Sequence, residues 1–255
     1  MHNIHPNAQI GDNAQIGSFV TIQDEVTIGN NVKIGPNAVI LSGTHIGDDC
    51  SIHSGAVVGG DPQDLKYNGE STLLKIGNNV SIREFCTINR GTTDRGETVI
   101  GNNCLLMAYV HVAHDCVLGN NVIMSNTVNL AGHVEIDDFA ILGGGTLVHQ
   151  FVHIGKHVMV GGGSLVRKDV PPFVKAAREP LSYIGINSIG LQRRGFDQEV
   201  ITSIQGIYRQ IYQKSSNTAK AVEDVKAQFA ESSERDAILD FISNSERGIM
   251  KGFAS

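Results

Sequence analysis

Residues 10–40 read IGDNAQ-IGSFVT-IQDEVT-IGNNVK-IGPNAV-I, with an isoleucine at every sixth position. From Ile4 to Val166 the same phase holds an apolar side chain at 25 of 28 positions, and only Asp64, Glu70 and Asp94 break it. An average composition would fill about a quarter of such positions. Neither the 3.6-residue period of an α-helix nor the alternation of a flat strand produces a repeat of six. The period is that of a hexapeptide solenoid, in which three hexads close one triangular coil. Successive coils then stack at about the 4.8 Å strand spacing.

A second, slimmer column runs two residues ahead of the first and includes Ala14, Val20, Val32, Ala38, Ala56, Val122 and Ala140. Cys50, Cys86, Cys104 and Cys116 all fall in it. They read as small inward-facing core residues rather than disulfides or metal ligands. Free thiols also suit a reducing cytoplasm. Glycines directly after the apolar residue, as at Ile10-Gly11 and Ile28-Gly29, read as corner residues with unusual backbone angles. Asn-Asn pairs at 30–31, 78–79, 102–103 and 120–121 mark other corners, because asparagine tolerates left-handed angles.

Two polar stretches, near 60–75 and 90–98, interrupt the rhythm, and a solenoid can accommodate them only as outward loops. The hexads end at Pro171-Pro172, and residues 1–186 are assigned to the coil. From Phe196 the apolar spacing turns helical, through Val200, Ile204, Ile207 and Ile211 after a cap at Asp197. Further short helices over 218–230 and 233–245 make 187–255 a helical C-terminal domain. The net charge is −6 with no extended basic run, which argues against nucleic acid as a partner. No charged-then-apolar leader is present and no apolar run approaches ~20 residues, so a cytoplasmic protein without a membrane span is expected.

The coil places the histidines. With three hexads per coil, His114, Gly132 and Gln150 share one corner, and His133 and His149 lie one place from it. His111 sits on the approach to the same corner. Histidine suits proton transfer because its ordinary pKa lies near neutrality.

The segments HVAHDC (111–116), NLAGHVEIDDFAILGG (129–144), HQF (149–151), QDLKYNGE (63–70), INRGT (88–92) and GLQRRGF (190–196) resemble the UDP-N-acetylglucosamine 3-O-acyltransferase family. That family performs the first step of lipid A synthesis, and the likeness extends over essentially the whole chain. The resemblance implies a mainly β architecture, a left-handed parallel β-helix with a C-terminal α-helical domain, assembled as a homotrimer. By the resemblance, His114 is the general base on the sugar 3-hydroxyl, Gly132 supplies the backbone oxyanion donor, and Asp115 orients His114. Adjacent strand residues point opposite ways, which counts against that last role. The substrate contacts implied are Gln63, Asp64, Lys66, His111, His133, His149 and Gln150, with Asn187, Arg193 and Arg194 at the nucleotide end. Ile189 stands where familiar members have a glutamate. Gly162 and Met159 match the positions that limit acyl-chain length, and a glycine there implies a long 3-hydroxyacyl chain. No cofactor and no metal are implied, because the donor chain is carried on the phosphopantetheine of acyl carrier protein. Arg167, Lys168, Lys175 and Arg178 form a basic rim for that acidic partner. Two alternatives remain open at this stage: a 3-amino sugar nucleotide as acceptor, and a zinc hydratase of the carbonic anhydrase type on the same coil, which needs three histidines on the metal.

Overall fold

A hexad contributes only a two-residue strand, such as Asn3–Ile4 or Gln9–Ile10, and its hydrogen bonds must come from the coils on either side. Asn3 pairs with Thr21 and Ile4 with Ile22, an offset of three hexads that repeats along the chain. Every third strand therefore joins the same sheet. Among the described residues, the computed structural model has three sheets, of nine, eight and eleven strands. The coil is a left-handed parallel β-helix. The structure describes residues 2–214 and 217–252.

Both apolar columns point inward. Ile22, Ile40, Leu106, Leu118 and Leu142 are among the fully buried side chains of one column, and Val20, Ala38, Val122 and Ala140 of the other. The four cysteines are free and buried with them. Burial pushes the Cys86 and Cys104 thiols up to about 11 and Cys116 up to about 12, so none of these is a thiolate at neutral pH.

The corners differ from the sequence reading in one respect. Gly11, Gly29 and Gly47 are not the residues with left-handed backbone. A Cβ on Gly11 would lie 2.7 Å from the Gly29 backbone, so glycine is needed here because the next coil passes too close. The left-handed angles are taken two residues later, at φ +58° for Asn13 and +57° for Asn31, and also by Phe19, Asp115 and His133. The first asparagine of each pair builds a ladder instead: Asp48, Asn78, Asn102, Asn120 and Asp138 each accept from the backbone N–H of the residue one coil earlier.

The interruptions are shorter than 60–75 and 90–98, because strands Val57–Gly60, Leu73–Ile76 and Glu97–Ile100 claim their edges. Across the first, Ile46 pairs with Ile76 and Ile52 with Ile82, an offset of five hexads instead of three. Across the second, Ile76 pairs with Ile100, an offset of four. The first loop therefore ejects two whole hexads and the second ejects one. This is why the repeat resumes in phase, and why its three breaks, Asp64, Glu70 and Asp94, are all in ejected segments.

At the C-terminal end, Val174–Ala177 turns back antiparallel onto Ser182–Ile186, which in turn pairs with Lys251–Gly252. The helical part thus returns a strand to the coil rather than forming a separate body. Its helices are α1 (Ser188–Arg193), α2 (Gln198–Arg209), α3 (Thr218–Gln228) and α4 (Ser233–Asn244), with a π-helical turn over Gln210–Lys214 after α2. Asp197 precedes α2 as expected but makes no capping bond.

An aromatic stack docks the turn that follows α1 onto the coil. His157 stacks between Phe139 at 4.9 Å and Phe173 at 5.6 Å, with Phe196 edge-on. Burial, with the Arg194 and Lys156 cations nearby, pushes the His157 imidazole down to about 4. An unfolded histidine titrates near 6.5, so between pH ~6.5 and ~4 the unfolded chain binds a proton that the folded chain refuses. Stability from this site is complete above that window and lost as pH falls through it, by on the order of 3 kcal/mol. His157→Phe preserves the stack and removes the proton. Its denaturation midpoint is expected to equal the native one at pH 7.5 and exceed it at pH 4.5. Parallel pH profiles for the two proteins would contradict this assignment.

Candidate active site

Asp115 opens the site because of where its backbone sits. It is not a strand residue but a left-handed corner residue, with φ +60°, and this turn removes the objection that neighbours in a strand face apart. Its carboxylate is fully buried and accepts from His114 Nδ1 at 2.8 Å. The same carboxylate accepts from the Thr92 backbone N–H at 2.9 Å and the Thr92 hydroxyl at 2.7 Å. Burial alone would raise the Asp115 carboxyl, but the bonds from His114 and Thr92 outweigh it and hold the carboxyl below its usual value.

His114 lies flat against Gly132 of the next coil. A Cβ on Gly132 would stand 2.6 Å from His114 Cε1 and 2.7 Å from Nε2. The flanking backbone donors are occupied, Ala131 N–H by Val148 and His133 N–H by His114. Among the described residues the Gly132 N–H is paired with nothing. This openness is common to the turn, but at position 132 there is also no side chain between the donor and the imidazole. A histidine ring and an unpaired amide donor consequently adjoin across two coils with no side chain between them.

His133 stands edge-on to His114 with ring centroids 5.1 Å apart, and stacks on Phe151 at 4.5 Å. Its two nitrogens face carboxylates, Nδ1 with Asp94 at 3.4 Å and Nε2 with Asp115 at 3.7 Å. His111 is hydrogen-bonded to Thr87 at 2.7 Å, and burial, reinforced by the nearby His114, lowers its pKa. His149 and Gln150 are exposed at the corner above, with His149 Nδ1 on the Gln150 carbonyl.

The two ejected loops wall a cleft of about 510 Å³ over this corner. Asp64, Lys66, Tyr67 and Glu70 come from the first loop, Thr92, Thr93 and Asp94 from the second, and His133 and Phe151 from the coil. Gln63 is exposed beside it. Thr92, Asp94 and Phe151 are site residues that the sequence reading passed over. The one available signal for Asp94 was its break in the hexad.

The nucleotide-end candidates do not join this corner within one chain. Asn187 is buried, donates from Nδ2 to the His157 carbonyl and accepts from Gly190 N–H, so it caps α1 rather than facing a ligand. Arg194 lies over the Phe139 ring and donates to the Phe139 carbonyl, one corner further round the coil. Arg193 is exposed at the end of α1. Gly162 and Met159 also lie elsewhere, Met159 38% exposed on another face and Gly162 at a corner whose surface is bare backbone.

His114, Asp115 and His133 offer ligand atoms within 4.8 Å of one another and could in principle hold a metal ion. Only two are histidines, and both Asp115 oxygens already accept hydrogen bonds from His114 and Thr92. A base oriented by a buried carboxylate, beside an unpaired N–H, is instead an arrangement for nucleophile activation and oxyanion stabilisation. Gly132→Ala would force the imidazole aside. It is expected to cost ~10²-fold or more in turnover while leaving the melting temperature nearly unchanged. Retention of native turnover would show that the contact between the two coils is irrelevant to chemistry.

Comparisons with known proteins identify the family. Residues 169–250 match the family model for domain 2 of UDP-N-acetylglucosamine O-acyltransferase, and 25–60 and 97–132 match bacterial transferase hexapeptides. The acyl-[acyl-carrier-protein]–UDP-N-acetylglucosamine O-acyltransferase of Aquifex aeolicus is 60% identical over 201 residues, covering 78% of this chain and 77% of that one. Its counterpart from Chlorobaculum parvum is 58% identical over 207 residues, 81% and 78% of the two chains. The crystal structure of a UDP-N-acetylglucosamine acyltransferase from Bacteroides fragilis superposes with a TM-score of 0.97 at 50% identity, covering 98% of both chains. That from Acinetobacter baumannii gives 0.95 at 40% identity, again over 98% of both. On its fold, its motifs and these identities, the chain belongs to the UDP-N-acetylglucosamine O-acyltransferase family.

Proposed function

We propose that the protein transfers a long (R)-3-hydroxyacyl chain from acyl carrier protein to the 3-hydroxyl of UDP-N-acetylglucosamine, the first step of lipid A biosynthesis. The observation that carries this reading is the alignment of Asp115, His114 and Gly132 at one corner. His114 Nε2 takes the proton of the sugar 3-hydroxyl as its oxygen attacks the thioester carbonyl carbon. Asp115 holds Nδ1–H and offsets the imidazolium charge that develops. The Gly132 N–H donates to the tetrahedral oxyanion. Collapse breaks the carbon–sulfur bond, and the imidazolium returns its proton to the leaving phosphopantetheine thiolate. The names of the relatives, which give both acyl carrier protein and UDP-N-acetylglucosamine, support this choice of donor and acceptor.

Asp64 and Lys66 are suited to the sugar and phosphates from the loop wall, with His133, His149 and Gln150 on the corner. Arg193 and Arg194 are assigned to the nucleotide end from a neighbouring subunit, because in their own chain they lie away from this corner, while Asn187 holds their helix in place as its cap. A homotrimer provides that neighbour. Exposed aromatic corners, including Phe19 at 68% and the stacked pair Phe85 and Tyr109, support burial of this surface in an assembly. Arg167, Lys168, Lys175 and Arg178 would receive acyl carrier protein, although Arg167 already bridges Glu179 and Lys168 bonds the Arg247 carbonyl. No helix among the described residues is long and apolar enough to cross a membrane.

Acyl transfer from 3-hydroxyacyl carrier protein to UDP-N-acetylglucosamine should fall by ~10²–10⁴-fold in His114→Ala. Equal rates in native and variant proteins would remove His114 as the base. Absence of transfer by the native protein would redirect the assay to a 3-amino acceptor, and metal content after dialysis would test a zinc hydratase.

Gly162 lies three coils along the axis from Ala108, the corner residue that precedes His111, a rise of roughly 14 Å at the strand spacing. An added side chain there would meet the Gly144 carbonyl at 3.1 Å and fill the bare corner. Gly162→Met is expected to shift donor preference toward shorter chains. Unchanged chain-length preference would contradict the assignment of Gly162 as the limit of the acyl groove.

A further inference from the structure

The 90–96 loop is usually the kind of segment that tolerates change, yet here it is pinned at several points. Gly91 N–H bonds the Leu73 carbonyl at the exit of the first loop, and a Cβ at Gly91 would run into the Glu97 backbone. Arg95 is ion-paired with Glu135, on the coil that carries Gly132 and His133. Asp94 N–H donates to the Thr92 hydroxyl at 3.2 Å, and Gly96 N–H to the Thr92 carbonyl at 2.7 Å. Thr92 itself is buried and gives both of its donors to the two oxygens of Asp115.

Within the loop, magnitudes decide which residue matters. Asp94 faces His133, but its side chain is 73% exposed and the pair is long at 3.4 Å, so water screens it. The Thr92–Asp115 contacts are short, fully enclosed and directed at a charged acceptor, which makes them the strong ones. The Thr92 hydroxyl and His114 Nδ1–H converge on the same oxygen, Asp115 Oδ2. Without the hydroxyl, that carboxylate keeps one backbone donor and gains freedom to rotate in its cavity. The plane and tautomer of His114 follow it.

We propose that Thr92 is a positioning residue for acyl transfer: an ejected hexad reaches back into the coil to fix Asp115, and through it the imidazole of His114. The inference rests on His114 being the base. The loop is therefore part of the site's machinery rather than only a wall of its cleft.

The test compares the full-length native protein with Thr92→Val, Thr92→Ser, Thr92→Ala and His114→Ala. Values of kcat and KM for both substrates are measured, with thermal melts to check folding. Thr92→Val is expected to lower kcat by ~10²-fold, the loss typical of a misaligned reacting group. KM for UDP-N-acetylglucosamine should change little. Thr92→Ser, which keeps the hydroxyl, should restore kcat to within a few-fold of native. If Thr92→Val does not fold, the smaller Thr92→Ala serves for the same comparison with Thr92→Ser. Native kcat in Thr92→Val or Thr92→Ala, or equal losses in the serine and hydroxyl-free variants, would overturn the proposal. The two failures separate cleanly. An inactive His114→Ala with a fully active Thr92→Val leaves the base and removes the positioning role, whereas an active His114→Ala removes the base itself.

Discussion

A strand of two residues has too few hydrogen bonds to exist alone, so each coil is held only by the coils beside it, with each stacked residue over its counterpart three hexads away except where a loop intervenes. That register is the constraint from which the rest of the molecule follows. It forces slender residues and glycines where coils approach, and it tolerates insertions only if they leave the stack complete. Whole hexads are ejected for this reason, at 61–72 and 90–96. The coil's continuous interior supplies the rigidity, while its corners carry the polar side chains of the candidate site. Placing His114 directly over Gly132 is one consequence. No other element has to be adjusted to bring an imidazole against a bare amide.

The chemistry draws on the same register in a second way. A left-handed corner turns consecutive residues in directions a strand does not permit, so Asp115 points inward beside its neighbour His114. The buried carboxylate would be costly unsatisfied, and His114 and Thr92 together satisfy it. Electrostatics in the enclosed corner is strong enough to hold tautomer and orientation, whereas the charged residues on the loop rims are screened. In the proposed mechanism, catalytic geometry is concentrated in the coil and its inward-reaching loop. Recognition of the sugar nucleotide then falls to exposed loop residues and, in the proposed trimer, to a neighbouring subunit.

Much of this was legible in the sequence because the repeat is arithmetic. The period located the core columns, the buried cysteines, both loops and the corner shared by His114, Gly132 and Gln150. What could not be read depends on direction rather than position. The hexad does not reveal that left-handed angles fall two residues after the glycine, and hence that Asp115 can face His114. Thr92 lies in a segment where the period is broken, so no register predicted its contact with Asp115. The short helix α1 was missed because so brief a segment carries little periodic signal, and its cap, Asn187, was read as a ligand contact although its side chain is occupied within the chain. The antiparallel return of Ser182–Ile186 likewise leaves no mark in the hexads.

The most direct test of this account is a crystal structure of the assembled protein with its acylated sugar nucleotide bound. The account predicts the sugar 3-oxygen within hydrogen-bond reach of His114 Nε2, about 2.6–3.2 Å. It also predicts the acyl carbonyl oxygen on the Gly132 N–H, with the loops at 61–72 and 90–96 enclosing the sugar. An acyl-sugar linkage lying away from the corner of His114 and Gly132 would contradict it.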